Sequence, residues 1–167
     1  MFPDRETFHF LPGHGMVSDD TEHACLTARA LIAAKGDPDR FERELAWSLR
    51  WWLLGLPAGI GFASLRSIVR LWLGVPPERS GVFSAGNGPA MRSPILGVVY
   101  GAEPDKLREF VLRSTRMTHT DRKAFHGALS VAVAAHLSGQ GKTMLPKEYL
   151  GALHEYLPDG SAAEFLA

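Results

Sequence analysis

Asp37-Pro38-Asp39-Arg40-Phe41-Glu42-Arg43-Glu44-Leu45-Ala46-Trp47-Ser48-Leu49-Arg50-Trp51-Trp52-Leu53-Leu54 is the stretch that decides the fold. Phe41, Leu45, Leu49, Trp52 and Leu53 recur at three- and four-residue spacing, which lays them along one face of an α-helix. Asp37-Pro38 starts that helix. Gly55-Leu56-Pro57 stops it, because a proline disfavours helical dihedrals in the residue before it. The same period extends in both directions. Upstream, Ser18 stands where it can cap a helix whose first turn carries Asp19, Asp20 and Glu22 and whose apolar positions run to Gly36. Downstream, Phe62, Leu65, Ile68, Val69 and Trp72 form another stripe, closed by Gly74-Val75-Pro76-Pro77. A short helix from Pro89 is expected next, then one from Pro104 through Ser114, a small-residue helix from Ala124 to Ala135, and a last one over Pro146 to Tyr156. No segment shows the sustained alternation of a half-buried strand, so the fold class is all-α, a single orthogonal helical domain. Its core is expected over about residues 11–156, with the tail 157–167 poorly ordered unless something packs on it.

Composition narrows the function classes. The chain has 167 residues with 18 basic and 18 acidic side chains, so no whole-protein field recruits nucleic acid or an anionic membrane surface. A 46% hydrophobic and 22% charged balance is that of a globular domain with a core of its own. The lone Cys25 excludes an internal disulfide framework and every multi-cysteine metal site, which suits a reducing, cytoplasmic setting. The uncharged run between Arg50 and Arg66 is broken by Gly55, Pro57, Gly59 and Gly61, so no membrane span is expected. The first ten residues carry Asp4, Arg5 and Glu6 and lack the apolar core of a secretory leader.

Three short elements can carry chemistry. Ser18-Asp19-Asp20-Thr21 offers four adjacent hard oxygen donors, the ligand type that magnesium takes, and it is equally ordinary N-cap composition. Ser80 to Gly88 is a run of small residues ending in Gly86-Asn87-Gly88-Pro89-Ala90-Met91-Arg92, where a tight loop enters a helix and backbone N–H groups can cradle phosphate. Arg92 could fork onto a phosphate or carboxylate, or lie on the surface. Thr118-His119-Thr120-Asp121 precedes a helix, with Thr120 or Asp121 as its cap and His119 as a donor to phosphate or to a ribose hydroxyl. The other histidines, at 9, 14, 23, 126, 136 and 154, form no zinc spacing and are expected mostly at the surface.

Taken together and in this order, the three elements resemble the ADP-ribosylglycohydrolase family over about Leu11 to Gln140. The resemblance implies magnesium, as one or two ions, held in part by Ser18, Asp19 and Asp20, with Asp19 and Asp20 serving catalysis. It further implies an ADP-ribose site lined by Ser84, Gly86, Asn87, Gly88 and His119, and hydrolysis of the glycosidic bond between ADP-ribose and a protein side chain or related acceptor. The implied partners are ADP-ribose or an ADP-ribosylated protein, with neither nucleic acid nor membrane. Family members also carry a leading Gly-Asp-x-x-Gly element and a closing Asp-x-Asp-Thr element; here neither occurs before His14 or within Gly141 to Ala167, whose only aspartate is Asp159. The domain is therefore expected to be incomplete relative to the family, with core-like helix faces left to self-associate or to borrow a partner. Two alternatives stand beside the hydrolase: a non-catalytic ADP-ribose-binding relic, and a helical interaction protein using Trp47, Trp51, Trp52 and Trp72 if they are exposed. Trp51 and Trp72 sit in stripes that would ordinarily fill a core.

Overall fold

A computed structural model of the protein describes residues 9–11, 14–15, 17–57, 59–141 and 144–157. Helices α1 (Asp19–Ala34), α2 (Pro38–Leu54) and α3 (Phe62–Trp72) follow the expected boundaries, and a one-turn helix, α4 (Pro77–Ser80), leads into the glycine loop. They are followed by α5 (Gly88–Tyr100), α6 (Pro104–Arg116), α7 (Arg122–Gly139) and α8 (Pro146–Tyr156). The chain is all-α apart from a small antiparallel ribbon at its start, β1 (His9–Leu11) with β2 (His14–Gly15), which the absence of alternation did not foretell. Strands of three and two residues are too short for a period to register.

Each helix starts as local chemistry dictates. The Asp37 carboxylate accepts from the backbone N–H groups of Asp39 (2.9 Å) and Arg40 (3.1 Å), and these bonds hold its pKa below the usual carboxylate value. Asp121 rather than Thr120 caps α7, accepting from Lys123 N at 2.8 Å. Ser18 occupies the N-cap of α1 without a side-chain cap bond; its carbonyl receives Thr21 and Glu22. Helix α5 is longer than a short helix from Pro89 because it runs through Pro94. The Ser93 hydroxyl donates to the Ala90 carbonyl at 2.8 Å, supplying the bond that Pro94 has no N–H to make.

Helix α5 is central, packing on α1, α6 and α7. A Cβ on Gly97 would lie 1.8 Å from the Ala132 carbonyl oxygen, so α5 and α7 approach this closely only because Gly97 is bare and α7 is rich in alanine. Phe110 of α6 packs in tilted contacts with Phe41 (5.0 Å) and Tyr100 (4.4 Å), joining α2, α6 and α5 in one core. The buried Glu42 takes a bidentate fork from Arg116 (2.9 and 2.8 Å) and a third bond from Arg113 (3.1 Å), clamping α2 to α6.

The aromatic expectations need correction. In α3 the buried face is Ser64, Ser67, Ile68 and Leu71, whereas Phe62, Val69 and Trp72 lie outside. Trp47, Trp51 and Trp72 do not enter the core: each is roughly half exposed, and they meet edge to face at 5.6 and 5.8 Å on the outer side of α2 and α3. The core is already filled by Phe41, Leu45 and Leu49 on the opposite side of α2. At the far end, Leu157 is buried rather than frayed, and residues 158–167 lie outside the described residues. No helix among the described residues is long and apolar enough to cross a membrane.

Candidate functional site

Two of the three sequence elements come together. Val82 N donates to Thr118 O (3.2 Å) and Thr120 N donates to Val82 O (3.0 Å), a parallel bridge that straps the glycine loop along the turn before α7. Serine hydroxyls reinforce it. Ser80 Oγ lies 2.7 Å from Met117 O, and Ser67 Oγ lies 2.8 Å from Thr118 O.

The strap seats His119 beneath the loop. A Cβ on Gly86 would lie 3.0 Å from His119 Nε2, and one on Gly88 would lie 2.9 Å from His119 Cε1 and 3.1 Å from Ser64 Oγ. Neither glycine has a positive φ, so the demand for glycine here is room for the imidazole rather than backbone conformation. Ser84 Oγ accepts from Gly86 N at 3.1 Å and stiffens the turn. Asn87 is exposed at the N-cap of α5 and makes no side-chain cap bond. Ser64, buried on α3, completes the notch; as one serine in a mixed stripe it carried no signal that sequence could supply.

Beneath the notch lies Arg92, which is fully buried and neither a surface residue nor a free anion fork. Its Nε donates to Ser114 Oγ (3.2 Å), its Nη2 to Ser114 O (2.8 Å) and Thr118 Oγ1 (2.7 Å), and its Nη1 faces His23 Nδ1 at 3.4 Å. Burial lowers its pKa to about 10, so it remains charged at neutral pH while bonded to neutral acceptors. Burial, and then the Arg92 charge, lower His119 to about 4 and His23 to about 3, so both rings are neutral. The expectation of surface histidines fails at positions 23 and 126, both buried; residues 9 and 14 have no described side chains.

The third element, at the start of α1, is sparser. Ser18, Asp20 and Thr21 are exposed and Asp19 is half-buried near the α2–α3 loop, 3.9 Å from where a Cβ on Gly59 would be. Glu22, the next acid, accepts from the Trp52 indole N–H at 2.7 Å. Among the described residues no three His, Cys, Asp or Glu side chains gather into a metal-binding group. The donor set fits magnesium in kind, two carboxylates and a hydroxyl, of the sort that leaves several waters on the ion. On the other side of His119 a cavity of about 260 Å³ is lined by Leu112, Arg116, Thr120, Arg122, Phe125 and His126 among others.

The model of the ADP-ribosylglycohydrolase family matches residues 2–166, and the chain belongs to that family. It is 36% identical over 121 residues to a protein of Archaeoglobus fulgidus described as uncharacterized, which is 72% of this chain and 39% of that one. It is 34% identical over 70 residues to the ADP-ribosylhydrolase ARH3 of Danio rerio, 42% of this chain and 19% of that one. The chain therefore matches well under half the length of either relative.

Proposed function

We propose that this chain binds ADP-ribose through the glycine loop and His119 and serves hydrolysis of the glycosidic bond that joins ADP-ribose to a protein side chain or a related acceptor. The observation that carries this reading is the strap between Val82 and Thr118–Thr120, which seats His119 against Gly86 and Gly88 at the start of α5. The first turn of a helix presents unpaired N–H groups and a positive dipole end, which favour a diphosphate. Ser84 and Asn87 stand beside that turn as polar neighbours for ribose or phosphate oxygens. His119 also lines the adjoining cavity, whose walls include Leu112, Phe125, Arg116 and Arg122.

Ser18, Asp19 and Asp20 would hold magnesium, which when bound supplies charge for polarising ribose hydroxyls and placing a water. This chain's own part is then to hold ADP-ribose at the glycine loop and His119. Cleavage passes through oxocarbenium-like character, so a carboxylate close to the anomeric carbon favours it. A second reading, binding without turnover, is favoured by one observation: Glu22, the acid nearest in sequence, is engaged by Trp52, leaving Asp19 and Asp20 as the acids of this half. The deciding experiment follows release of free ADP-ribose from serine-linked and arginine-linked ADP-ribosylated peptides in magnesium. Turnover by the wild type that falls at least about 100-fold in Asp20→Asn, as expected for loss of a transition-state contact, supports the hydrolase. Binding of ADP-ribose with no turnover of either peptide supports the second reading.

A further inference from the structure

We infer that Arg92 and Thr118 are positioning residues that lock His119 as its Nε2–H tautomer, so that the ring edge facing Gly86 and Gly88 is an obligate donor to a ligand oxygen. The available protons fix the tautomer. A guanidinium has five N–H groups and no acceptor, so Thr118 Oγ1, 2.7 Å from Arg92 Nη2, must accept there. The hydroxyl has one proton left to give. It can go to His119 Nδ1 at 2.9 Å or to Thr115 O at 3.5 Å, and the second is at the limit of a hydrogen bond. The proton therefore goes to Nδ1, which must be a lone pair, and the single proton of the neutral ring is on Nε2. Nε2 is the atom 3.0 Å from the Cβ position of Gly86.

A protonated ring would put an N–H against Thr118 Oγ1 and a second cation beside Arg92, and burial with that charge opposes it. The same guanidinium governs a second histidine. Its Nη1 faces His23 Nδ1, which makes His23 an Nε2–H tautomer as well and an internal control in the same molecule. The locked edge selects ligand chemistry: a phosphate or ribose ring oxygen pairs with it, whereas an ammonium does not. The lock rests on the Arg92–Thr118–His119 geometry and on the neutral ring that burial favours. The identity of the oxygen it meets rests on the ADP-ribose reading.

Long-range proton–nitrogen correlation spectra of the uniformly ¹⁵N-labelled full chain test it, with His119→Gln and His23→Gln assigning the two rings. In the wild type both rings are expected as the Nε2–H tautomer. Thr118→Val should release His119 into a mixture of tautomers and leave His23 unchanged, and Thr118→Ser should restore the lock. ADP-ribose calorimetry on the same proteins should show about tenfold weaker binding for Thr118→Val and wild-type binding within about twofold for Thr118→Ser, the size of one charge-assisted hydrogen bond. The wild-type spectrum stands even if Thr118→Val fails to fold. His119 in the Nδ1–H form, or a folded Thr118→Val that keeps the Nε2–H pattern, overturns the inference. The expected tautomers with no ADP-ribose binding by any variant sustain the lock and overturn the ligand reading instead.

Discussion

Around His119 most polar atoms are spoken for: Nδ1 by Thr118, Thr118 by Arg92, Arg92 by Ser114 and His23, and the loop overhead by two strap bonds, while His23 Nε2 and Thr115 Oγ1 are buried without a hydrogen-bond partner. Around Asp19 and Asp20 little is fixed; Asp20 is in solvent, Ser18 caps nothing with its side chain, and Glu22 answers to Trp52. The two candidate halves of the proposed site are thus built to different standards within this chain. A preorganised half can bind at low entropic cost, whereas a half made of exposed carboxylates needs a cation, a ligand or further protein to acquire a geometry. Binding and hydrolysis should therefore be separable here.

The strongest way to break that contrast is to fill the notch. Gly88→Val would drive a branched side chain into His119 and Ser64, and ADP-ribose affinity measured by calorimetry should fall about 100-fold or more, the cost of a misplaced binding geometry. Gly127→Ala, whose Cβ would meet nothing within 4 Å, should leave affinity unchanged. The next effect separates site from scaffold. Glu42→Ala strips Arg113 and Arg116 of their buried partner and should cost roughly 1–3 kcal/mol in denaturant unfolding, because the arginines keep some solvent. Its ADP-ribose affinity should fall far less than that of Gly88→Val, since Glu42 itself lines neither the notch nor the cavity at His119, where only its partner Arg116 reaches.

Acid offers a third probe. His23 and His119 have folded pKa values of about 3 and about 4, below the unfolded value of 6.5, so the unfolded chain binds the extra protons. Their contribution is complete above pH 6.5 and is lost as the pH falls toward 4, with a slope of up to about 1.4 kcal/mol per pH unit for each histidine. Unfolding free energies taken between pH 7 and 4.5 should fall less steeply in His23→Gln than in the wild type. The smallest effect belongs to the sparse half: without magnesium, Asp19→Asn with Asp20→Asn should change ADP-ribose affinity by no more than about threefold, the scale of exposed charges.

Much of this molecule is legible in its sequence where local chemistry governs. Helix boundaries at Asp37-Pro38, Gly55-Leu56-Pro57 and Asp121 follow from caps and breakers, and the Gly86-Asn87-Gly88 and Thr118-His119 elements stand out by residue type. What the sequence conceals is what tertiary packing decides. Arg92 reads as a surface or anion-binding arginine because its partners, Ser114, Thr118 and His23, come from three other segments and are all neutral. Ser64 is silent for the same reason. Trp51 and Trp72 read as core because they sit in apolar stripes, yet one helix can carry two apolar faces while the domain at hand buries only one of them.

The central claim is that the binding half works on its own. Titration of the folded wild-type chain with ADP-ribose by calorimetry, with magnesium and again with a chelator, tests it most directly. The account predicts binding at or below about 1 mM, roughly −4 kcal/mol, with Kd values in the two conditions agreeing within about threefold. No heat of binding at millimolar ADP-ribose from a chain shown to be folded, or binding that appears only with magnesium and vanishes in Asp20→Asn, would contradict it.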